Sequence, residues 1–252
     1  MMRVLVVDDN PVNQDLFARQ LGRLGYEFDT ADNGEDALIK LATHTYDVVL
    51  ADLQMPRMDG YELLRRIRAN ARNATAQVPV IAVSAHDASH SPVARGFDDY
   101  LVKPVAKTLL DARIRAVVGE PNVPDEPAVE PLKSTNTILN VAALLDLIGN
   151  DRSLAKVLLV EFRQQIAEAT PDWQMYVETP QAENARQLAH RLKSSALSVG
   201  AFHYGEVCKT LEHQCQNAPH AIEPALRELI AAGALTSQAI DAWLSEHNTE
   251  DQ

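Results

Sequence analysis

Two apolar runs end in carboxylates, and that pairing restricts the folds open to this chain. Val4-Leu5-Val6-Val7 runs into Asp8-Asp9, and Tyr46-Asp47-Val48-Val49-Leu50-Ala51 runs into Asp52. Short, nearly uninterrupted apolar runs mark strands buried on both faces, as in a parallel sheet. If the two runs are neighbouring strands, three carboxylates meet at one sheet edge, where like charges repel unless a cation joins them. Such an edge serves to hold a metal beside a carboxylate that reacts.

Further strand candidates follow at Tyr26–Ala31, Val78–Ser84 and Tyr100–Lys103, with the first two at Arg3–Val7 and Asp47–Ala51. Amphipathic stretches separate them. Asn10-Pro11 supplies a helix cap and a proline for the first helical position, Gly25 closes that helix, and Asn33 caps Glu35–Leu41. Alternating β and α elements predict an α/β domain, a doubly wound five-stranded parallel sheet, over residues 1–119.

Residues 120–136 hold four prolines and four acids against one lysine, with little to bury, and read as a stiffened, solvated linker. Beyond them, over 137–252, the period changes. Leu144, Leu145 and Ile148, then Leu154, Val157, Leu158 and Phe162, recur at helical spacing. Pro171, Pro180, Pro219 and Pro224 fall near expected helix ends, and Gly200 marks a further break. An all-α bundle of antiparallel helices is the expected second domain.

Composition excludes some partners. Of a net charge of −12, residues 1–119 carry −2, 120–136 carry −3 and 137–252 carry −7. An acidic second half lacks the clustered Lys and Arg that phosphate backbones need, so no nucleic-acid partner is expected. No apolar stretch approaches a membrane span and the first residues pass into a strand pattern, so no membrane insertion and a cytoplasmic location are expected. Cys208 and Cys215 lie about 10 Å apart at ~1.5 Å per helical residue, too far for a disulfide.

In a doubly wound sheet, ligands bind beyond the carboxyl ends of the strands. The polar residues there are Asp8, Asp9, Asp52, Ser84 and Lys103. Taken singly, each has a plain reading as a cap, a turn residue or surface. Together they suit phosphoryl transfer to a carboxylate, with Mg²⁺ on the acids, an ammonium on one phosphoryl oxygen and a hydroxyl on another. Pro104 pushes Lys103 towards extended backbone, and a cis bond there would help to aim it.

Asp8-Asp9, Asp52 followed by Met55-Pro56 and Met58-Asp59-Gly60, Ser84-Ala85 and Lys103-Pro104 resemble the receiver domain of bacterial response regulators, across residues 1–119. The resemblance implies a flavodoxin-like sheet with Asp52 as phosphoacceptor. It also implies Mg²⁺ on Asp8, Asp9, Asp52 and the backbone carbonyl of Gln54, with Asp8 acting through water. Ser84 and Tyr100 would form the switch pair. His86, two residues after that serine, reads as a loop histidine tuning water access.

In the second domain, Leu188, Leu192, Ser195 and Val199 form the expected inward face of a helix. His190 lies about 200° around from Leu188 at ~100° per residue, so it is expected to face solvent, with Lys193, Ser194, Arg186, Gln187 and Leu197 on the same side. A lone histidine is usually only a surface residue, and seven others compete. The run Ala189-His190-Arg191-Leu192-Lys193-Ser194-Ser195-Ala196, ending Val199-Gly200-Ala201, resembles the histidine-containing phosphotransfer (HPt) domain, a four-helix bundle. That resemblance implies His190 as phosphoacceptor, supported by Lys193, Ser194 and Gln187. Ser194 departs from the family's usual glycine. Gly205 to Cys215, with Leu211-Glu212, resembles the helix that follows.

The leading reading is a two-component phosphorelay protein, taking phosphoryl from a sensor histidine kinase and passing it to a downstream response regulator. Two alternatives stay open: a receiver-gated adaptor whose bundle binds without accepting phosphate, and the C-terminal portion of a hybrid sensor histidine kinase. Without any Gly-x-Gly in the sequence, an ATP-binding glycine-rich loop is not expected, so the chain reads as a phosphotransfer protein rather than a kinase, with autophosphatase activity a further expectation for the receiver. Met1-Met2 is compatible with a whole gene product.

Overall fold

The structure is a computed structural model, and it describes residues 2–69, 74–85, 92–119 and 137–247. The expected linker 120–136 and His86 lie outside the described residues. The chain divides into two compact units, 1–131 and 132–252.

In the first unit, strands β1 (Arg3–Val7), β2 (Glu27–Ala31), β3 (Val48–Asp52), β4 (Val80–Ser84) and β5 (Asp99–Val102) alternate with helices α1 (Pro11–Arg23), α2 (Gly34–Thr43), α3 (Gly60–Ala69) and α4 (Lys107–Val117). All strands are parallel, in the order β2-β1-β3-β4-β5. Their two-residue period sorts the core into two layers. Leu5, Val7, Val49, Ala51, Val80 and Ala82 pack with Ala37, Leu41, Leu63, Leu64 and Ile67 of α2 and α3. Val4, Val6, Val48, Leu50, Ile81 and Val83 face Phe17 and Leu21 of α1 and Leu110 and Ile114 of α4. Each such side chain contributes ~1.5–3 kcal/mol on full burial. Strand order reverses between β1 and β3, the place where doubly wound sheets leave a crevice.

Local chemistry fixes the turns that border this crevice. Asn10 caps α1 by accepting from the Val12 amide at 3.0 Å, with Pro11 at the first helical position. Asn33 caps α2 through the amides of Glu35 and Asp36. Gly60 is obligatory, because a Cβ there would lie 2.3 Å from the carbonyl oxygen of Asp52.

The second unit contains α5 (Val141–Ile148), α6 (Arg152–Glu178), α7 (Ala182–Ser198), α8 (Phe202–Asn217) and α9 (Glu223–His247). The four long helices close a ring in which α6 neighbours α7 and α9, and α8 neighbours the same two. Short connections make successive helices antiparallel. Phe162, Trp173 and Tyr204 are buried in the centre, with Phe162 and Tyr204 edge to face at 5.8 Å.

One proline reads differently in three dimensions. Pro171 lies inside the 27-residue α6 and does not end a helix. The carbonyl it deprives of a partner belongs to Ala167, four residues back and exposed, where solvent serves it. Pro180 and Pro219 do follow helix ends, and Pro224 sits in the first turn of α9. Gly200 ends α7 with φ +79°, and a Cβ there would lie 2.3 Å from the carbonyl oxygen of Asn140. Asn140 in turn donates its amide to the Gly200 carbonyl at 2.9 Å and caps α5. Gly200→Ala should therefore destabilise the bundle by at least ~1–2 kcal/mol, from the left-handed backbone alone. Chemical denaturation of the two proteins measures this.

Candidate functional site

The sheet register brings the acids together. Val7 pairs with Ala51, so the residues that follow, Asp8 and Asp52, leave adjacent strands side by side. Asp8, Asp9 and Asp52 each offer a carboxylate oxygen, and these oxygens lie within 4.8 Å of one another. Asp8 and Asp52 are buried and Asp9 half-buried. The Asp8 Oδ1 accepts from the Asn10 amide at 3.0 Å and from Asn13 Nδ2 at 3.2 Å, while Asp52 Oδ1 accepts from the Gln54 amide at 3.0 Å.

Lys103 reaches them from the end of β5. Its amide donates to the Ser84 carbonyl at 2.8 Å, tying the loop to β4, and its peptide bond to Pro104 is cis. The Lys103 Nζ donates to Asp8 Oδ2 at 2.5 Å and also to Asp52 Oδ2. Gln20 of α1 holds the same loop by donating to the Val105 carbonyl at 2.9 Å. Burial alone would lower the ammonium's pKa, but Asp52 and Asp8 together raise it above the ordinary lysine value. For Asp8, burial dominates and raises the carboxyl, with Asp52 adding to the rise and Lys103 opposing it. One ammonium thus serves two buried carboxylates, and the half-buried Asp9 adds a third acid. The cluster is short of positive charge, and its donors are hard oxygens, which suit Mg²⁺.

Ser84 is buried at the end of β4, beside Val102 of β5. Tyr100 is half-buried against the core layer of α2 and α3. Gln54 is exposed, in the turn after β3.

The second candidate site corrects the sequence reading. His190, expected to face solvent, has a side chain only 11% exposed, and Lys193 only 2%. Ser194 is buried and Leu197 half-buried. The physical reason lies on α8, where Gly205 sits opposite Leu197 and Ala196. That small residue lets α8 close on α7, a contact that helical periodicity within α7 does not reveal. Gln187 is exposed and donates to Glu183 of its own helix at 2.8 Å.

Sequence reasoning assigned no role to Glu212 of α8. Its Oε1 lies 2.6 Å from His190 Nδ1, and its Oε2 accepts from Lys193 Nζ. Burial pushes the Glu212 carboxyl up, but the His190 hydrogen bond and Lys193 outweigh it and hold it below the ordinary range. At Lys193 burial wins over the attraction of Glu212 and lowers the ammonium. A sequence signal existed: Cys208, Leu211 and Cys215 form a buried stripe at helical spacing, and Glu212 falls within it. A charge inside an apolar stripe calls for a buried partner.

This topology, with acids and a lysine gathered at its strand-order reversal, defines the receiver class. The family model for the response regulator receiver domain matches residues 4–115, and the model for the Hpt domain matches residues 153–246. The chain carries a response regulator receiver domain followed by an Hpt domain. It is 31% identical to the virulence sensor protein BvgS of Bordetella pertussis over 266 aligned residues, covering 100% of this chain and 21% of that one. It is 43% identical to the sensor histidine kinase RcsC of Salmonella typhimurium over 112 residues, 43% of this chain and 11% of that one. The chain thus spans only about a fifth of the first of these relatives and about a tenth of the second. Similar solved structures include the receiver domain of a Pseudomonas aeruginosa sensor histidine kinase with a magnesium ion in its active-site cleft. That structure is 32% identical over 47% of this chain and 98% of that one, with a TM-score of 0.44. A Thermotoga maritima response regulator in complex with Mg²⁺ and BeF is 34% identical over 46% and 99%, with a TM-score of 0.42. No described helix is long and apolar enough to cross a membrane.

The Glu212 pair gives a pH signature. A carboxylate depressed on folding contributes stability above its unfolded pKa, ~4.3, and loses it as pH falls through the folded value. The stability difference between wild type and Glu212→Gln should therefore be greatest near neutrality and shrink as pH drops below ~4. Urea unfolding across a pH series reads this directly.

Proposed function

We propose that Asp52 and His190 are the two phosphoacceptors, and that the chain exchanges phosphoryl groups with a sensor histidine kinase and a response regulator. The observation that carries this reading is the buried gathering of Asp8, Asp52 and Lys103 at the β1/β3 crevice, with Asp9 beside them. The matched receiver and Hpt domains support it, as does a second buried constellation around His190. We take the functional division to be a receiver over 1–119, a linker over 120–136 and an HPt domain over 137–252, acting in the cytoplasm.

In the first half-reaction, an Asp52 carboxylate oxygen attacks the phosphorus of a partner's phosphohistidine. The N–P bond breaks with its electron pair returning to the imidazole, and an acyl phosphate forms. Lys103, already directed at Asp52, neutralises a phosphoryl oxygen, and the Ser84 hydroxyl donates to another. Asp8, Asp9, Asp52 and the Gln54 carbonyl would hold Mg²⁺, which when bound supplies further positive charge to the transferring group. Tyr100, in the strand beside Ser84, serves with it as the switch pair. Hydrolysis of the acyl phosphate by water makes the receiver its own slow phosphatase. Phosphoryl enters from a partner and not from ATP, in keeping with a sequence that has no Gly-x-Gly.

At His190 the acceptor atom follows from Glu212. An ionised carboxylate only accepts hydrogen bonds, so in the neutral ring Nδ1 carries the proton and Nε2 the reactive lone pair. Lys193 and Ser194 flank it one turn along α7, with Lys193 held by Glu212.

Two measurements test the reading. With a small phosphodonor, Asp52→Asn should lose the base-labile acyl label entirely, and Asp9→Asn should lower its yield by about tenfold or more through weaker metal binding. Efficient acyl labelling in excess chelator contradicts the metal assignment. Label on His190 should resist base and yield to acid, and His190→Gln should remove it. A bundle that never accepts label from a phosphorylated receiver supports a binding role instead.

A further inference from the structure

We propose that Arg186 is a phosphoryl-binding residue for His190, clasped at rest by Glu183 and drawn to the phosphoryl group as it arrives. The inference rests on the reading of His190 as a phosphoacceptor.

A phosphoryl group on Nε2 brings negative charge that a neighbouring cation must offset. Lys193 is poorly placed to do so alone. Its ammonium is bonded to Glu212, its side chain is only 2% exposed, and burial lowers its pKa. Any bond it gives to phosphate is shared with that carboxylate. Side chains on a helix lean towards its N-terminus, so the His190 ring covers the turn before it. That turn carries Arg186, four residues back on the same face. The Arg186 side chain is 26% exposed and stands within electrostatic range of Glu212 and Cys215 on α8. It therefore lies along the α7–α8 seam that holds His190, and is more open to solvent than Lys193.

At rest the guanidinium is engaged. Glu183 accepts from Arg186 Nε at 3.0 Å and from its Nη2 at 2.7 Å, and from Gln187 Nε2 at 2.8 Å. These bonds, that of Arg186 foremost, hold the Glu183 carboxyl down at about 2, so the clasp stays charged through the neutral range. An exposed pair between neighbours on one helix contributes little to stability. A phosphoryl dianion carries more charge and offers three acceptor oxygens, which a guanidinium fork can meet two at a time. When Nε2 attacks a donor, the N–P bond forms and the donor's bond to phosphorus breaks, its electron pair leaving with the donor. Arg186 then exchanges the Glu183 carboxylate for the phosphoryl oxygens. The other lysine and arginine side chains of α7 and α8 are turned elsewhere. Arg191 lies about 100° around the helix from His190. Lys209 donates to Glu206 at 3.4 Å and acts on Lys193, on the other side of the ring.

The test uses the full chain carrying Asp52→Asn, labelled on His190 with phosphoramidate, with His190→Gln marking the background. Two quantities are read, the labelling rate and the second ionisation of the bound phosphoryl group, the latter by phosphorus-31 NMR across a pH series. Arg186→Gln should slow labelling about tenfold and raise the phosphoryl pKa by about one unit, since a neighbouring cation favours the dianion. Arg186→Lys should recover part of both. Glu183→Gln should speed labelling about threefold when Arg186 is present and leave it unchanged in the Arg186→Gln chain. The phosphoryl ionisation does not respond to a merely structural role. An unshifted ionisation in Arg186→Gln, or an equal gain from Glu183→Gln in both backgrounds, overturns the inference while His190 stands as acceptor. A chain with Arg186 and Glu183 intact that takes no label on His190 overturns the functional reading, and the inference with it.

Discussion

A single buried ammonium between two carboxylates governs the first unit. Lys103 comes from a loop 51 residues beyond Asp52 and 95 beyond Asp8, yet it bonds both. Two bare carboxylates buried side by side would repel each other and resist desolvation. The lysine makes their burial tolerable, and the architecture holds it in place: β4 takes its amide through Ser84, and α1 holds the adjoining loop through Gln20. Register between β1 and β3 then sets how close the acids come, and Gly60 allows α3 to begin against the Asp52 backbone.

The second unit solves a similar problem with the charges reversed. There one buried carboxylate, Glu212, serves a lysine and an imidazole. In the first unit the shared group is the cation and the cluster is left wanting positive charge, which suits a metal. In the second the shared group is the anion and the imidazole is oriented, which suits a nucleophilic nitrogen. Both sites depend on an element remote in sequence to supply the shared charge.

Much of this was legible in the chain itself. The apolar strands with their terminal carboxylates, the Asn10 and Asn33 caps and the shift from a two-residue to a three-to-four-residue period all reflect short-range physics. So the five strands fall within a residue or two of where the pattern puts them. Asp8, Asp9, Asp52, Ser84 and Lys103 were readable as one set because strand ends in a doubly wound sheet share an edge.

What the sequence could not determine depended on neighbours. Helical periodicity assigns a side chain to a face, but only the packing of α8 decides whether that face is covered. His190 and Lys193 were placed in solvent on that ground, and the approach of α8 at Gly205 buried them. Glu212 was equally out of reach, since a pairing across 22 residues leaves no local signature beyond a charge in an apolar stripe. Pro171 was read as a helix end because proline removes a hydrogen bond, whereas tertiary contacts along a 27-residue helix outweigh one lost bond. The sequence by itself determined the two domains and the chemical groups at their sites. The tertiary structure decided which groups are buried and which charge each one meets, because burial and pairing depend on distances between segments that no local pattern encodes.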